Sequence, residues 1–217
     1  MLYNSFLMVK DKCNTYFGGN QAWCDKKYMQ KSGCGVVGCA NFILHQRMNT
    51  NDFNCNVEKY HISKENYLQV VEHLRKYYLP VIPGIGMSGI QMSIGINLYF
   101  FKNHMKMIAR WGCFHWKIWD KIQSMLKQDM PVIMSIGPNF PNTFGKHKLD
   151  LYVKNGDKYE YCENVNAHYV TVTAIQDEWV EISSWGRKLY FSKKEYEQYV
   201  KRHSNWLFSN ILVISKF

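Results

Sequence analysis

The sequence predicts an α+β fold in which a mainly helical first half packs on an antiparallel sheet formed by the second half. Apolar residues recur at helical spacing in the first half, whereas alternating apolar and polar residues dominate the second half. An Asn155-Gly156 pair separates two of the alternating segments, and this dipeptide is typical of a tight hairpin turn. Helices that precede the strands, rather than alternate with them, favour separate helical and sheet layers.

Four helices are predicted in the first half. The first begins at Cys34, from which apolar residues recur on one face until the polar segment "RMNTND". The second begins at Ser63, a residue type that caps helix N-termini, and Pro80 stops it. We expect the third helix over residues 88–101 and the fourth, which carries an apolar stripe, over residues 116–128.

Strands dominate the chain after the fourth helix. The segment "DMPVIMSIGP" predicts a short buried strand, and a hairpin follows around Asn155-Gly156. Three more strands are predicted in "HYVTVTAI", "WVEISSWG" and "RKLYFS", and "SNILVIS" closes the chain as a last strand. Ser192 and Glu195 form a capping box that predicts one further helix, over "YEQYVKR".

The composition is that of one packed domain over residues 1–217, with a candidate lobe boundary at 79–89, where prolines and glycines are densest. No apolar run is long enough to span a bilayer, and the first residues do not have the features of a secretory signal. We therefore expect a cytoplasmic protein. Seven irregularly spaced cysteines in that compartment predict reduced thiols rather than a disulfide framework.

The net charge of +10 raises the question of an anionic partner. The lysines are scattered and no nucleic-acid-binding motif accompanies them, so a solvated basic surface is favoured and nucleic-acid binding is the weaker alternative. We expect neither a metal nor another cofactor, because "CFH" at 113–115 has no second ligand pair at zinc spacing. The oligomeric state stays open.

Cys34 is the candidate nucleophile. A thiol in the first turn of a helix lies beside unpaired backbone N–H groups and the positive end of the helix dipole, which stabilise a thiolate. Gly33 and Gly35 remove side-chain bulk on both sides, so a substrate carbonyl could approach the sulfur. Cys39 lies more than one turn into the helix and is expected to pack in the core. Taken alone, a cysteine capping a helix beside glycine is more often structural than catalytic.

His168 is the candidate base among eight histidines, because a thiol nucleophile usually needs an imidazole from elsewhere in the fold. It begins the most regular strand of the chain, where alternation places it on the same side as Val170 and Val172. A helix packed on that face would bring Cys34 to it. Taken alone, His168 would be interpreted as a buried core histidine.

Three segments, in order, resemble the papain-like cysteine peptidase superfamily: "SGCGVVGCANFIL", "IQSMLKQDMPVIMSIG" and "NAHYVTVTAIQDEWVEISSWGRKLYFSKKEY". The resemblance is closest to the bacterial branch that is similar to the double-glycine, bacteriocin-processing peptidases. That branch has Cys-Gly at the start of a long helix, a helix followed by a "PVI" strand, and a His that begins a strand. The match covers roughly residues 18–199 and depends on the order of the segments rather than on one motif.

The resemblance implies a papain-like fold with Cys34 as nucleophile and His168 as general base. Ser183, the first residue of "SSWG", falls where the family has the Asp or Asn that orients the imidazole. A serine hydroxyl can accept a hydrogen bond from the imidazole, but it has no charge to stabilise imidazolium. Either a Cys-His dyad is sufficient, or the activity is weak or lost.

Other residues could take the place of the missing acid. Ser184 is one alternative, and the carboxylates of Glu181 and Asp177 are two more. Strand alternation makes Glu181 a poor candidate, and its place in a turn does the same for Asp177.

The resemblance also implies a glutamine in the oxyanion hole and a shielding tryptophan. Gln30 is the first choice for the glutamine, although it lies closer to the nucleophile in sequence than is usual in the family. Gln21 is the second choice, because "GGN" could fold its segment back toward the site. Trp185 resembles the tryptophan that shields the contact between the histidine and its orienting residue, and it could also be a core aromatic.

The residues together predict a cysteine hydrolase that cleaves an amide bond in a peptide or another amide-containing substrate through an acyl-enzyme. A catalytically weak or inactive binding module on the same fold is the alternative that the missing acid raises. Deamidation of glutamine and acyl transfer to an amine use the same catalytic groups and also stay open.

Overall fold

The structure is a computed structural model of the chain that describes residues 1–49, 60–112 and 117–217. It confirms the predicted α+β class, with helices packed on a large antiparallel sheet. The helices are α1 (Lys27–Ser32), α2 (Cys34–Asn49), α3 (Lys64–Tyr77), α4 (Gly89–Lys102), α5 (Ile118–Lys127) and α6 (Lys193–His203). The strands are β1 (Met8–Asp11), β2 (Asn14–Phe17), β3 (His61–Ser63), β4 (Met107–Trp111), β5 (Val132–Ile136), β6 (Leu149–Asn155), β7 (Lys158–Val165), β8 (His168–Gln176), β9 (Trp179–Ser184), β10 (Arg187–Ser192) and β11 (Leu212–Lys216).

The main sheet has six strands in the order β5-β8-β9-β10-β6-β7, and every neighbouring pair in it is antiparallel. The predicted hairpin is confirmed, since Asn155 pairs with Lys158 across the turn that joins β6 to β7. The closing strand β11 lies outside this sheet and pairs with β4. The main sheet contains β8, which carries His168, and β9, which carries Ser183 and Ser184.

The helix boundaries agree with the capping residues in the sequence. Ser63 caps α3 by accepting a hydrogen bond from the Asn66 N–H, and Ser88 forms a capping box with Gln91 at the start of α4. Ser192 likewise caps α6. The start predicted for the fourth helix and the "CFH" motif include residues 113–116, which lie outside the described residues.

Helix α2 packs on a different face of β8 from the one that the sequence predicts. Asn41 of α2 donates to the Thr171 hydroxyl at 3.1 Å, and a Cβ added at Gly35 would lie 3.4 Å from the Tyr169 ring. These contacts place α2 on the Tyr169 and Thr171 face rather than on the face of Val170. The alternation could not decide between the faces, because both are buried along β8.

The first residues form elements that the sequence did not predict. Strand β1 pairs with β2 and with β3, and this small sheet packs against α3. The chain then makes a 3-10 turn at Gln21–Trp23 and the short helix α1 before it reaches Cys34. Gly19 and Gln21, in the segment between β2 and α1, lie near the start of α2.

The candidate lobe boundary at 79–89 is the connection between α3 and α4. Leu79 and Met87, near its two ends, are buried in the same hydrophobic cluster as Phe42 of α2 and Ile133 of β5. The connection is therefore anchored to the core at both ends. Within the described ranges, none of the helices combines the length and apolar character needed to cross a membrane.

Candidate active site

Cys34 begins α2, and only Gly33 separates it from the end of α1. The Gly33 N–H donates to the Met29 carbonyl, and the Gly33 carbonyl accepts from the Val37 N–H, so Gly33 joins the two helices. Burial raises the pKa of the Cys34 thiol, and hydrogen bonds to the sulfur from the backbone N–H groups of Tyr169, Gly35 and Cys34 itself oppose that increase. The bond from Tyr169 places the sulfur against the residue that follows His168.

His168 is the first residue of β8, and its imidazole is almost completely buried. Its Nε2 lies 2.9 Å from the Ser184 Oγ, at the end of β9. The Trp185 ring stacks on the imidazole with centroids 4.6 Å apart and planes 19° apart. Burial lowers the pKa of His168 to about 4, so the imidazole is neutral near pH 7.

Cys34 and His168 line one small cavity. Its volume is about 10 Å³, which is near the minimum for a single water molecule. The other residues around the cavity are Gly19, Gln21, Val37, Gly38, Asn41, Tyr169, Thr171, Ser183, Ser184 and Trp185. The fold thus places two residues that are 134 positions apart in the sequence around the same cavity.

A tight turn holds Trp185 over the imidazole. Trp185 and Gly186 connect β9 to β10 with φ angles of +51° and +74°, the signs of a type I′ hairpin turn. Gly186 exchanges backbone hydrogen bonds with the segment before α1, accepting from the Phe17 N–H and donating to the Gly19 carbonyl, each at 2.9 Å. A positive φ is unusual for a bulky residue, and such backbone strain is often found at functional sites.

The hydroxyl that touches the imidazole belongs to Ser184 and not to the predicted residue, Ser183. The Ser183 Oγ instead donates to the Phe17 carbonyl at 2.6 Å, although Ser183 also lines the cavity. Glu181 accepts hydrogen bonds from Thr173 at 2.8 Å and from Tyr190 at 3.1 Å. The geometry therefore favours Ser184, one of the alternatives from the sequence, as the partner of His168.

The geometry also favours the second-choice glutamine. Gln21 lines the cavity, whereas Gln30 does not, and the Gln21 Nε2 donates to the Gln30 carbonyl at 2.8 Å. The Gln30 Nε2 donates in turn to the Cys24 carbonyl at 2.7 Å. An amide nitrogen has two N–H donors, so Gln21 has a second one besides the one that α1 holds.

The two glycines beside Cys34 have a packing role in the structure. A Cβ at Gly33 would lie 2.5 Å from the Met29 carbonyl oxygen, and a Cβ at Gly35 would lie 2.9 to 3.0 Å from the side-chain ends of Met92 and Met87. Neither glycine lines the cavity. Their absent side chains allow close contacts with α1 and with the start of α4, and direct approach of a substrate at these positions stays a prediction.

Comparison of the chain with protein-family models, curated proteins and solved structures found no significant match. The resemblance to papain-like peptidases therefore depends on the residues quoted above.

Asn41 is a cavity residue that the sequence analysis missed. Its Oδ1 accepts from the Gly19 N–H at 3.0 Å and from the Tyr67 hydroxyl at 2.9 Å, while its Nδ2 donates to Thr171. This amide joins the segment before α1, α3 and β8 around the site. Two signals pointed to it: Asn41 is a polar residue in an apolar helix, and it lies seven positions after Cys34, on the same helix face.

No group of three or more His, Cys, Asp or Glu side chains that could hold a metal ion occurs in residues 1–49, 60–112 or 117–217. The five described cysteines are free thiols, and Cys55 and Cys113 lie outside the described residues. Cys39 is completely buried, as expected for a packing residue, and burial raises its pKa.

Proposed function

We propose that the protein is a papain-like cysteine hydrolase that cleaves an amide bond in a peptide or other amide-containing substrate. The observation that supports it most is the shared cavity of Cys34 and His168, with Ser184 on the imidazole Nε2 and Trp185 stacked on the ring. A nucleophile, a base and a group that orients the base are the minimum set for acyl-enzyme chemistry.

The hydrogen bond to Ser184 determines how His168 can act. It occupies Nε2, so Nδ1 is the ring nitrogen left to take the thiol proton of Cys34. For Nδ1 to accept, Nε2 must carry the ring hydrogen and donate it to the Ser184 Oγ. The thiol then attacks the substrate carbonyl as its proton moves to Nδ1, and the imidazolium later gives this proton to the leaving amine.

The oxyanion of the tetrahedral intermediate needs donors beside the sulfur. The Cys34 N–H is in the first turn of α2, where backbone N–H groups have no partner within the helix. The free N–H of Gln21 Nε2 supplies a second donor. Water resolves the acyl-enzyme in hydrolysis, and an amine acceptor in its place would give acyl transfer.

The substrate has a ready place beside the site. An apolar cavity of about 490 Å³ is lined by Ala167 and Tyr169, the two residues that flank His168, and also by Met87 and Trp111. The Tyr169 hydroxyl donates to the Met87 carbonyl at 3.0 Å and ties the two walls together. Because the Cys34 cavity holds about one water, a scissile bond can reach the sulfur only if side chains such as Met87 move aside.

The experiment that tests this function incubates the protein with a mixed peptide library and identifies the products by mass spectrometry. We expect new peptide termini with the unaltered protein and with Cys39→Ala, and none with Cys34→Ala. An acyl-enzyme on Cys34 in the intact protein mass would show the covalent step directly. Products that persist in Cys34→Ala would overturn the proposal.

The non-catalytic module is the second candidate, and the neutral, buried pair supports it. Burial opposes charge on both Cys34 and His168, and the hydroxyl of Ser184 cannot stabilise imidazolium as a carboxylate would. The rate of alkylation by iodoacetamide distinguishes the hydrolase from the binding module. If the protein is a hydrolase, we expect Cys34 to be alkylated faster near neutral pH than Cys39 and Cys24. Equally slow labelling of all three would favour the module.

A further inference from the structure

An apolar stripe covers the outer face of α4. The stripe consists of Ile90, Ile94, Leu98 and Phe101, which are 52%, 66%, 44% and 77% exposed. Their spacing of four, four and three residues places them on one side of the helix. The opposite side, with Ile96 and Tyr99, is buried in the core. Helix α4 is therefore apolar on both its inner and its outer side.

The exposed apolar surface continues beyond α4 in two directions. Strand β4 lies beside the helix, since the Asn97 side chain bonds both backbone groups of Ala109, at 2.7 and 2.8 Å. Ile108, next to Ala109, is 37% exposed, and Ile85 in the loop before α4 is 82% exposed. Single exposed apolar residues are common on proteins, but a contiguous set usually marks an interaction surface.

The stretch of sequence that carries the stripe has basic residues and no acidic ones. The chain from His73 to Trp119 contains no Asp or Glu, although the protein has 17 acidic residues elsewhere. The same stretch contains the basic residues Arg75, Lys76, Lys102, Lys106, Arg110 and Lys117. Of these, Lys102 ends α4, Arg110 is an exposed residue of β4, and Lys106 directly precedes that strand. These three cations form a basic rim at one end and along one side of the stripe.

We propose that the α4 stripe and its basic rim bind the surface of an anionic lipid bilayer. Apolar side chains on one helix face can enter the boundary between headgroups and acyl chains, while neighbouring Lys and Arg attract anionic headgroups. Helix α4 has 14 residues, so its length of about 21 Å is less than the roughly 30 Å of a bilayer core. It lies along the surface rather than across the membrane.

The charge argues against the other occupants. A second copy of the chain would bring two acid-free basic rims together in a symmetric contact, and like charges at an interface oppose association. An acidic amphipathic peptide would match the charge. However, peptide helices usually bind in grooves, whereas Ile94, Leu98 and Phe101 lie on the outer side of a single helix.

The test is co-sedimentation of the full chain with vesicles. One set is phosphatidylcholine alone, and the other contains about one third phosphatidylglycerol to supply negative charge. The first variant pair is Ile94→Gln with Leu98→Gln, matched by Phe144→Gln at an exposed apolar loop residue far along the chain. The second is Lys102→Gln with Lys106→Gln, matched by Lys154→Gln with Lys158→Gln around the β6–β7 hairpin.

We expect the protein to sediment with the anionic vesicles, to stay in solution with phosphatidylcholine alone, and to be released by salt. The Ile94 and Leu98 pair should lower the partition coefficient by at least about tenfold, and Phe144→Gln should leave it unchanged. Removal of the two rim lysines should weaken binding more than removal of the hairpin lysines. Circular dichroism and thermal melts verify that each variant is folded.

Three results would overturn the proposal. The first is no binding to the anionic vesicles even at low salt. The second is an equal loss in the matched control variants, which would show that binding does not involve the stripe. The third is a dimer in analytical ultracentrifugation that the Ile94 and Leu98 substitutions dissociate, since that would assign the stripe to a second copy of the chain.

Discussion

Two neutral side chains meet at the candidate site, and this distinguishes it from a preformed ion pair. Burial raises the pKa of Cys34 and lowers that of His168 to about 4, so both changes oppose proton transfer before a substrate arrives. The backbone N–H of Tyr169 still points at the sulfur and would stabilise charge as it develops. In the proposed reaction, attack by sulfur and proton transfer to His168 must therefore occur together.

The first prediction concerns Ser184. In the proposed tautomer, its hydroxyl accepts the Nε2 hydrogen and leaves Nδ1 for the thiol proton, and loss of one such bond corresponds to about 1 kcal/mol. Ser184→Ala should therefore slow iodoacetamide alkylation of Cys34 near neutral pH about five- to tenfold. Ser183→Ala is the control, because its hydroxyl bonds to the Phe17 carbonyl. If Ser183→Ala slowed the alkylation as much as Ser184→Ala, Ser184 would not be the orienting group.

The second prediction concerns Trp185. Asn tolerates a positive φ better than Trp, so Trp185→Asn should keep the turn between β9 and β10 while it removes the ring stacked on His168. Water can then reach the imidazole, and the pKa of His168 should rise toward the usual value for histidine. A proton NMR titration of the ring resonances measures the change. An unaltered pKa in a folded variant would contradict the shielding role of Trp185.

At the scale of elements, the junction between α1 and α2 sets the position of the nucleophile. Gly33 is the single residue between the two helices. Its N–H donates to a carbonyl of α1, and its carbonyl accepts from an N–H of α2. The 3-10 turn before α1 places Gln21 at the cavity, where α1 holds it through the Gln30 carbonyl. The 3-10 turn and α1 therefore set the position of the proposed oxyanion donor, and the junction at Gly33 sets that of the sulfur.

The third prediction compares the two glycines beside Cys34. Gly33→Ala would push a methyl group against the Met29 backbone carbonyl, which cannot move without disturbing α1. The substitution should cost about 1–3 kcal/mol of unfolding free energy. Gly35→Ala has its tight contacts only with the flexible ends of two methionines, reaches the Tyr169 ring at an ordinary 3.4 Å and gains helix propensity, so its net change should be within about 1 kcal/mol. Urea denaturation of both variants measures the difference, and an equal loss at both positions would contradict this packing.

Most helices and strands could be predicted from the sequence because their caps, stops and periods are local signals. Ser63, Ser88 and Ser192 mark helix starts, and the Asn155-Gly156 turn marks the hairpin. The face of β8 that α2 covers could not be predicted, because a strand buried on both sides has no polar face to identify. Strands β1 to β3 were also not predicted, because they are only three or four residues long and β1 pairs with β3 across 53 positions, from Met8 to His61.

The site could be predicted in part, because only some of its residues are marked by local signals in the sequence. Cys34 and His168 are recognisable by residue type and by their positions at the starts of a helix and a strand. The choices between Ser183 and Ser184 and between Gln30 and Gln21 depend on side-chain direction at a tight turn and on an inserted helix. Spacing along the sequence contains no information about either.

At the scale of the whole molecule, the first residues of the chain are tied to its distant parts. Asp129 accepts hydrogen bonds from the backbone N–H groups of Tyr3 and Asn4 and from the side chains of Asn4 and Asn49. Burial would raise the pKa of Asp129, but these bonds and nearby His45 outweigh it and lower the pKa below its usual value. The N-terminal segment is thereby fixed beside the end of α2 and the start of β5.

The last prediction is a pH dependence of stability that originates at the site. The pKa of His168 is about 4 in the folded protein and about 6.5 in an unfolded chain, so the unfolded state binds the proton first. The contribution of neutral His168 to the free energy of unfolding is therefore fully present above pH 6.5. It decreases by about 3 kcal/mol as the pH falls toward 4. The melting temperature should decrease steeply from pH 6.5 to pH 4 for the unaltered protein, and less steeply for His168→Gln. His104→Gln, at an exposed position, should follow the unaltered protein. Buried His45, whose pKa is also lowered by burial, accounts for part of the slope that remains in His168→Gln. Parallel curves for the unaltered protein and His168→Gln would show that His168 is not buried as a neutral base.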